Sequence, residues 1–240
     1  MPCGPMWVTK GKSGHPEEAD RGSFWRGTAL EIDTRLRVGR AIGKNEDEVA
    51  QAMMSQIKDR SNPIEPPAIA SDGCDSYPEA MLETWGKVPE YSGLGRPPTH
   101  KQPQPEWKCL QVTKHRSGGR LMGITYRVVY GDRTEVPDLM GLNTAYVERT
   151  NLTSRQMNGR MVRKTLSFSK EEEMLEASCA WEDWVYNLTR PVKSLRLEVN
   201  DGQRRWKSRS PAMAAGLTDH VWTIEELMKK VVVPNRGNTK

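Results

Sequence analysis

The sequence predicts an α/β domain, and three stretches carry that prediction. Phe24 to Ile32 (FWRGTALEI) and Leu36 to Ile42 (LRVGRAI) read as two strands joined by a tight turn at Asp33-Thr34. Asn45 opens a helix, and Glu48 three residues on completes a reciprocal cap. Ala68-Ile69-Ala70-Ser71 is a short apolar strand that closes on Asp72-Gly73 and runs into a helix over Ser76 to Trp85, a crossover pattern of α/β folds.

In the strand pair, Arg35, Arg37 and Arg40 stand between apolar residues, so one face is expected buried and the other wet. After Asn45, Val49, Met53 and Ile57 recur at helical spacing until the Ser61-Asn62-Pro63 break, and methionines so placed fill cores. Residues 86–120 are rich in proline and glycine with scattered Lys, Arg and His. They read as an extended basic loop insertion, ordered in part only on binding. Leu121 to Tyr130 (LMGITYRVVY) is a further strand, stopped by Gly131-Asp132. Asn143 to about Arg160 is a polar, basic helix. Ser169 is placed as the cap of the next helix, with Glu172 at its third position and Met174, Leu175, Trp181, Val185 and Leu188 on one face. The chain is basic from Arg190 onward. A small apolar segment then spans Pro211 to Lys230, helical over Ile224 to Val231, and a frayed tail follows from Pro234. No internal repeat is visible.

At 240 residues the chain fits one large domain with appendages and is long enough to bury a core. Only 36% of residues are hydrophobic and 28% are charged, so a good part lies in exposed loops. The net charge of +5 is unevenly placed. Arg149, Arg155, Arg160, Arg163, Lys164 and Lys170 follow one another with no acid between them, and six acids with no base then run from Glu171 to Asp183. A second basic run spans Arg190 to Arg209. One such run is ordinarily a solvated face; several together favour a polyanionic partner through counterion release. Cys3, Cys74, Cys109 and Cys179 show no paired spacing, which argues against a zinc site or a disulfide framework. No apolar run is long enough to cross a bilayer and no signal-peptide pattern opens the chain, so a cytoplasmic setting without a membrane partner is expected.

Two acids stand out as chemistry. Asp72 ends a short buried strand, and acids at strand carboxyl ends often sit at the functional edge of α/β sheets. Glu148 lies in the helix that begins Asn143-Thr144-Ala145-Tyr146-Val147, with bases packed after it. Carboxylates are hard oxygen ligands suited to Mg2+ or Mn2+. A pair of such ions about 4 Å apart can activate water and stabilise the leaving oxygen in phosphodiester cleavage. Taken one at a time, the same residues are a surface glutamate and a turn aspartate. The tryptophans divide similarly. Trp25, Trp181 and Trp184 are expected in the core, and Trp206, among Arg204, Arg205 and Lys207, is the candidate for a nucleic-acid contact. His100 and His115 are too far apart to suggest a metal pair.

The stretch from Asn143 to Lys170, NTAYVERTNLTSRQMNGRMVRKTLSFSK, resembles the signature block of insertion-sequence-one family transposases. That block has an acid followed by Arg, one further residue and Asn, then bases, then a Lys-Thr-Leu-Ser-Phe-Ser-Lys run. Here these are Glu148, Arg149, Asn151, Arg155, Arg163 and the run Lys164 to Lys170. Ser71-Asp72-Gly73 followed by Tyr77 resembles the block carrying the second acid, and the strand pair from Phe24 to Ile42 matches in order. The resemblance covers most of residues 7–188, the expected catalytic domain, with 1–6 a divergent start and 189–240 a basic C-terminal extension.

That resemblance implies a ribonuclease-H-like fold, a mixed sheet flanked by helices, with an Asp-Asp-Glu triad holding Mg2+ or Mn2+. Asp72 takes the place of the second acid and Glu148 that of the third. Arg149, Asn151, Arg155, Arg163 and Lys164 would position phosphates. The implied activity is cleavage and strand transfer at the ends of an insertion sequence, with element-end and target DNA as partners; a homo-oligomer stays open. The chain departs from the pattern at the first acid. Trp7 aligns with the family tryptophan, which puts Gly4 and Pro5 where Asp and Glu belong, and Asp33 is a poor substitute. No zinc ribbon or helix-turn-helix fits before Trp7. A truncated or frame-disrupted copy, or a mispredicted start, is therefore expected, and loss of one ligand should weaken metal binding and cleavage. The alternatives are a catalytically dead DNA-binding remnant and a domain whose basic runs meet an acidic protein.

Overall fold

A computed structural model describes residues 24–93, 95–136, 145–162, 165–199, 202 and 204–230, with the side chains of 145–148 outside that description. The chain is mixed α/β and divides into two compact units. The first comprises the residues up to Leu30 and Val38–Ser178, and the second Glu31–Arg37 and Cys179 onward.

In the first unit, β1 (Trp25–Leu30) pairs with β2 (Arg37–Gly43). The turn between them is tied by the Glu31 carboxylate, which accepts the backbone N–H groups of Asp33 (2.9 Å) and Thr34 (2.6 Å). β2 alternates between buried and half-buried positions as expected, but Arg37 lies on the buried face. Helix α1 (Glu46–Arg60) starts as the sequence predicts. The Asn45 side chain accepts from the Glu48 N–H at 2.8 Å, and the Glu48 carboxylate returns to the Lys44 N–H at 2.9 Å. Its buried stripe is Val49, Ala50, Met53, Met54 and Ile57. Glycines on the strands let it come close: a Cβ at Gly27 would stand 2.7 Å from Val49 and 2.9 Å from Met53.

Strand β3 (Ile69–Asp72) leads into α2 (Ser76–Trp85), and the chain returns as β4 (Cys109–Ser117), parallel to β3 with Asp72 opposite Val112. β4 turns into the antiparallel strand β5 (Arg120–Tyr130), giving the sheet order β3-β4-β5. The turn is Gly118-Gly119, both with positive φ (57° and 80°), the backbone that a two-residue hairpin requires. The extended basic loop expected over 86–120 therefore ends at Lys108. Cys109 to Val112 are buried on both faces, and this continuous burial overrides the loop-like composition around them. α1 and α2 pack on each other and share one apolar core with residues of all four of the first strands. Trp85 and Trp107 are buried in it, Trp25 packs against it half-buried, and Trp107 meets Tyr130 edge to face at 5.6 Å. Burying an indole of that size contributes about 2–3 kcal/mol.

Helix α3 (Ala145–Met157) is followed by a short 3-10 turn at Gly159–Met161 and by α4 (Glu172–Trp184), which ends in a π-turn over Val185–Thr189. Ser169 is not the cap of α4. The helix starts three residues later, and the buried Ser169 hydroxyl accepts from the Arg160 guanidinium at 3.0 Å instead. The buried stripe also differs from the one expected. Leu175 and Leu188 are buried and Val185 is half-buried as expected, but Cys179, Glu182 and Tyr186 are buried with them, while Met174, Trp181 and Trp184 are exposed. The second unit supplies the reason. The Arg37 guanidinium donates to Glu182 at 2.6 Å and Asp183 at 2.8 Å and lies 4.1 Å from the Tyr186 ring centroid, and Asn187 takes the Arg37 backbone. This cluster turns the acids inward and leaves the indoles outside.

The rest of that unit holds an antiparallel ribbon, β6 (Leu197–Glu198) with β7 (Trp206–Lys207), and two short helices, α5 (Pro211–Ala214) and α6 (Ile224–Lys230). Leu188, Ala212 and Leu227 form its small core, with Leu36, Val185 and Trp222 against them. Among the described residues, no helix is long and apolar enough to cross a membrane.

Candidate functional site

Asp72 sits where β3 ends and the chain turns toward α2. Residues 72–75 form a tight turn because the Asp72 carboxylate accepts the Cys74 N–H at 3.2 Å, an aspartate bonding its own backbone two residues on. The turn lies close over β4. A Cβ at Gly73 would stand 2.8 Å from the Thr113 hydroxyl, so this position has room only for hydrogen. Gln111, buried on β4, holds the far side by donating to the Cys74 carbonyl at 3.0 Å and to Asp75 at 3.2 Å. Arg127 of β5 also donates to Asp75, at 3.3 Å.

The first turn of α1 comes to the same corner. Asp47 accepts from the Ser76 hydroxyl at 2.6 Å, which ties the starts of α1 and α2 together. The Glu46 carboxylate accepts from the Cys74 thiol at 3.3 Å. Burial pushes the Asp72 carboxyl up to about 6; the negative Glu46 adds to this and the Cys74 N–H works against it. The Cys74 thiol is also pushed up, first by burial and further by Glu46. An aspartate so displaced is a carboxylate whose negative charge lacks compensation, and a hard cation would relieve it. Among the described residues, no group of three or more His, Cys, Asp or Glu side chains is placed to hold a metal ion.

The expected partner of Asp72 is Glu148. Position 148 is within α3, and its side chain lies outside the described residues. Arg149 is exposed, and Asn151 and Arg155 are half-buried on the same helix. Positions 148, 151 and 155 fall on one side of it by the helical repeat. Arg163 and Lys164 lie outside the described residues, as do Trp7, Gly4 and Pro5. The inward side of α3 is polar: Thr150, Thr153 and Ser154 are buried, and Ser154 accepts from Arg26 of β1 at 3.3 Å. Asn158 below them donates to Ser178 at 2.9 Å and caps the 3-10 turn. This seam fixes α3 on the first unit with hydrogen bonds where α1 uses methionines.

Sequence reasoning placed Asp72 at the end of a strand, where the structure has it, but did not foresee its surroundings. The acids of the α1 first turn read simply as partners of the helix dipole, and Cys74 as an isolated thiol. Trp206, picked out as a nucleic-acid contact, is half-buried between arginines of the ribbon; His115 is bonded to Thr125 at 2.7 Å. No protein-family model, no curated protein and no solved structure matches the chain.

Proposed function

We propose that this chain is a transposase of the insertion-sequence-one type, built on a ribonuclease-H-like fold, that cleaves DNA at element ends and joins them to target DNA. The observation that carries the reading is Asp72: a carboxylate at the carboxyl end of a strand, pushed up to about 6 by burial, at a corner where two helices begin. The order strand pair, helix, strand, helix and parallel strand is compatible with that fold, and the match of the 143–170 block supports the assignment of Glu148. Asp72 and Glu148 would hold the divalent ion, with Asp72 the one donor of this set that is described. The ion would supply charge neutralisation at the scissile phosphate. The protein's own groups would orient the DNA: Arg149, Asn151, Arg155, Arg163 and Lys164 follow Glu148 in sequence and carry donors suited to backbone phosphates.

The second reading is a DNA-binding remnant without cleavage. Gly4 and Pro5 at the place of the first acid favour it. One assay separates the two. The purified chain is incubated with labelled element-end duplex and Mg2+ or Mn2+, beside the Asp72→Asn and Glu148→Gln variants. Nicking lost in both variants supports the transposase; retarded DNA without nicking in any sample supports the remnant. No retardation of any duplex at low salt sinks both.

A further inference from the structure

The second unit holds a basic ribbon. Residues 190–209 carry seven bases against two acids, and five of the seven bases are arginine. The chain doubles back there with Leu197 opposite Lys207 and Glu198 opposite Trp206. The pairing continues through Val199 N–H to the Arg205 carbonyl (3.0 Å) and Val192 N–H to the Arg209 carbonyl (3.0 Å). Its root is fixed by buried Leu195, whose carbonyl accepts from Arg209 at 2.7 Å. Above that root the Arg196 guanidinium carbon lies 4.0 Å from the Trp206 ring centroid, and that of Arg205 at 5.3 Å. Arg205 also donates to Glu198 at 3.0 Å, so this acid is already engaged. Arg196, Arg204 and Lys207 are exposed, and Lys207 is within electrostatic reach of Asp219.

We propose that the ribbon formed by residues 192–199 and 204–209 is a docking surface for duplex DNA, with Arg196, stacked on Trp206, and Lys207 binding backbone phosphates. A guanidinium lying on an indole loses rotamer freedom but keeps its in-plane N–H edge for a second partner. That edge matches the paired oxygens of a phosphodiester, which fits the preference for arginine over lysine here. A two-stranded ribbon also has the width that the major groove admits. An acidic protein surface would be served as well by lysines without the indole platform. This surface belongs to the second unit and does not rest on cleavage.

The test is fluorescence anisotropy of the full chain with a labelled random-sequence duplex, between about 50 and 200 mM salt. Arg196→Gln with Lys207→Gln removes two phosphate contacts from exposed positions. The slope of log affinity against log salt should then shrink by about 1.8, which reduces the loss of affinity over that range by about twelvefold. Trp206→Ala keeps every charge and should weaken binding about two- to fivefold, with Trp206→Phe restoring it. A reduced slope in the double variant of a chain that shows no nicking would fail the nuclease reading alone, so failure of that reading and failure of this one are told apart. An unchanged slope in the double variant overturns the proposal. So does tighter binding of the single strand than of the duplex, or displacement of the DNA by polyglutamate at equal charge.

Discussion

Replacing Asp72 by asparagine should stabilise the protein at neutral and alkaline pH while removing any cleavage. Its carboxyl is raised from 3.8 to about 6, chiefly by burial. A carboxyl raised on folding binds its proton more tightly in the native state. Below the unfolded value both states are protonated and there is no penalty. Between the two values the penalty grows, and above the folded value it is complete. The displacement of about two pH units corresponds to roughly 3 kcal/mol at most, and partial solvent access reduces this to about 1–3 kcal/mol. Asparagine keeps the oxygen that accepts the Cys74 N–H, so the turn is retained. Urea denaturation followed by tryptophan fluorescence should show Asp72→Asn more stable than wild type by that amount at about pH 8, with the gain gone at about pH 3.5. Mg2+ should stabilise the wild type at the higher pH and leave the variant unmoved. A variant less stable than wild type at alkaline pH, or equally stabilised at both pH values, would refute the electrostatic reasoning.

The remaining predictions concern packing and the second unit. Arg37→Met takes the Arg37 cation away from the Glu182 and Asp183 side chains, 3% and 11% exposed; a loss of about 3–5 kcal/mol in urea denaturation is expected, most of it recovered when Glu182→Gln and Asp183→Asn are added. Gly73→Ala drives a Cβ to 2.8 Å from the Thr113 hydroxyl and should cost about 1–3 kcal/mol. Thr113→Ala in the same chain should return most of that, because the Thr113 Cβ is at an ordinary 3.8 Å. His220 is bonded by Asp219 at 2.6 Å and Glu226 at 2.9 Å, and these bonds hold its pKa above the ordinary value. Its contribution is complete below the unfolded pKa and is lost as pH rises through the folded one. Hydrogen exchange at the start of α6 should therefore quicken with pH in wild type more than in His220→Gln, and equal pH dependence would contradict the clamp.

How legible these elements were in the sequence follows from how local their causes are. The α1 cap needs only Asn45 and Glu48, and β3 and α2 need only a short apolar run before Asp72-Gly73 and a helical segment after it. β4 is different. Cys109 to Val112 show neither the helical nor the alternating period, since both faces are covered, and the proline-rich stretch before them gives the whole region a loop composition. Gly118-Gly119 was the available signal, a two-residue hairpin turn between segments of strand-forming residues. The buried face of α4 is only partly legible for the opposite reason. Its apolar residues suggest a face, but the buried one is chosen by Arg37, a partner 145 residues away from Glu182.

The site divides in the same way. Asp72 could be placed at a strand end because a short apolar run closing on Asp-Gly is a local pattern. Glu46 could not be placed beside it, because acids in a first helical turn already have a reason to be there. A helix dipole favours them wherever the helix points. What the dipole leaves open is where the helix starts in space, and here the Ser76–Asp47 bond joins the starts of α1 and α2 beside Asp72. A residue that satisfies a local rule is thereby passed over as a neighbour of Asp72. If Glu46 does tune Asp72, removing its charge should lower the Asp72 pKa while leaving α1 helical, since Asp47 and Glu48 still serve its first turn.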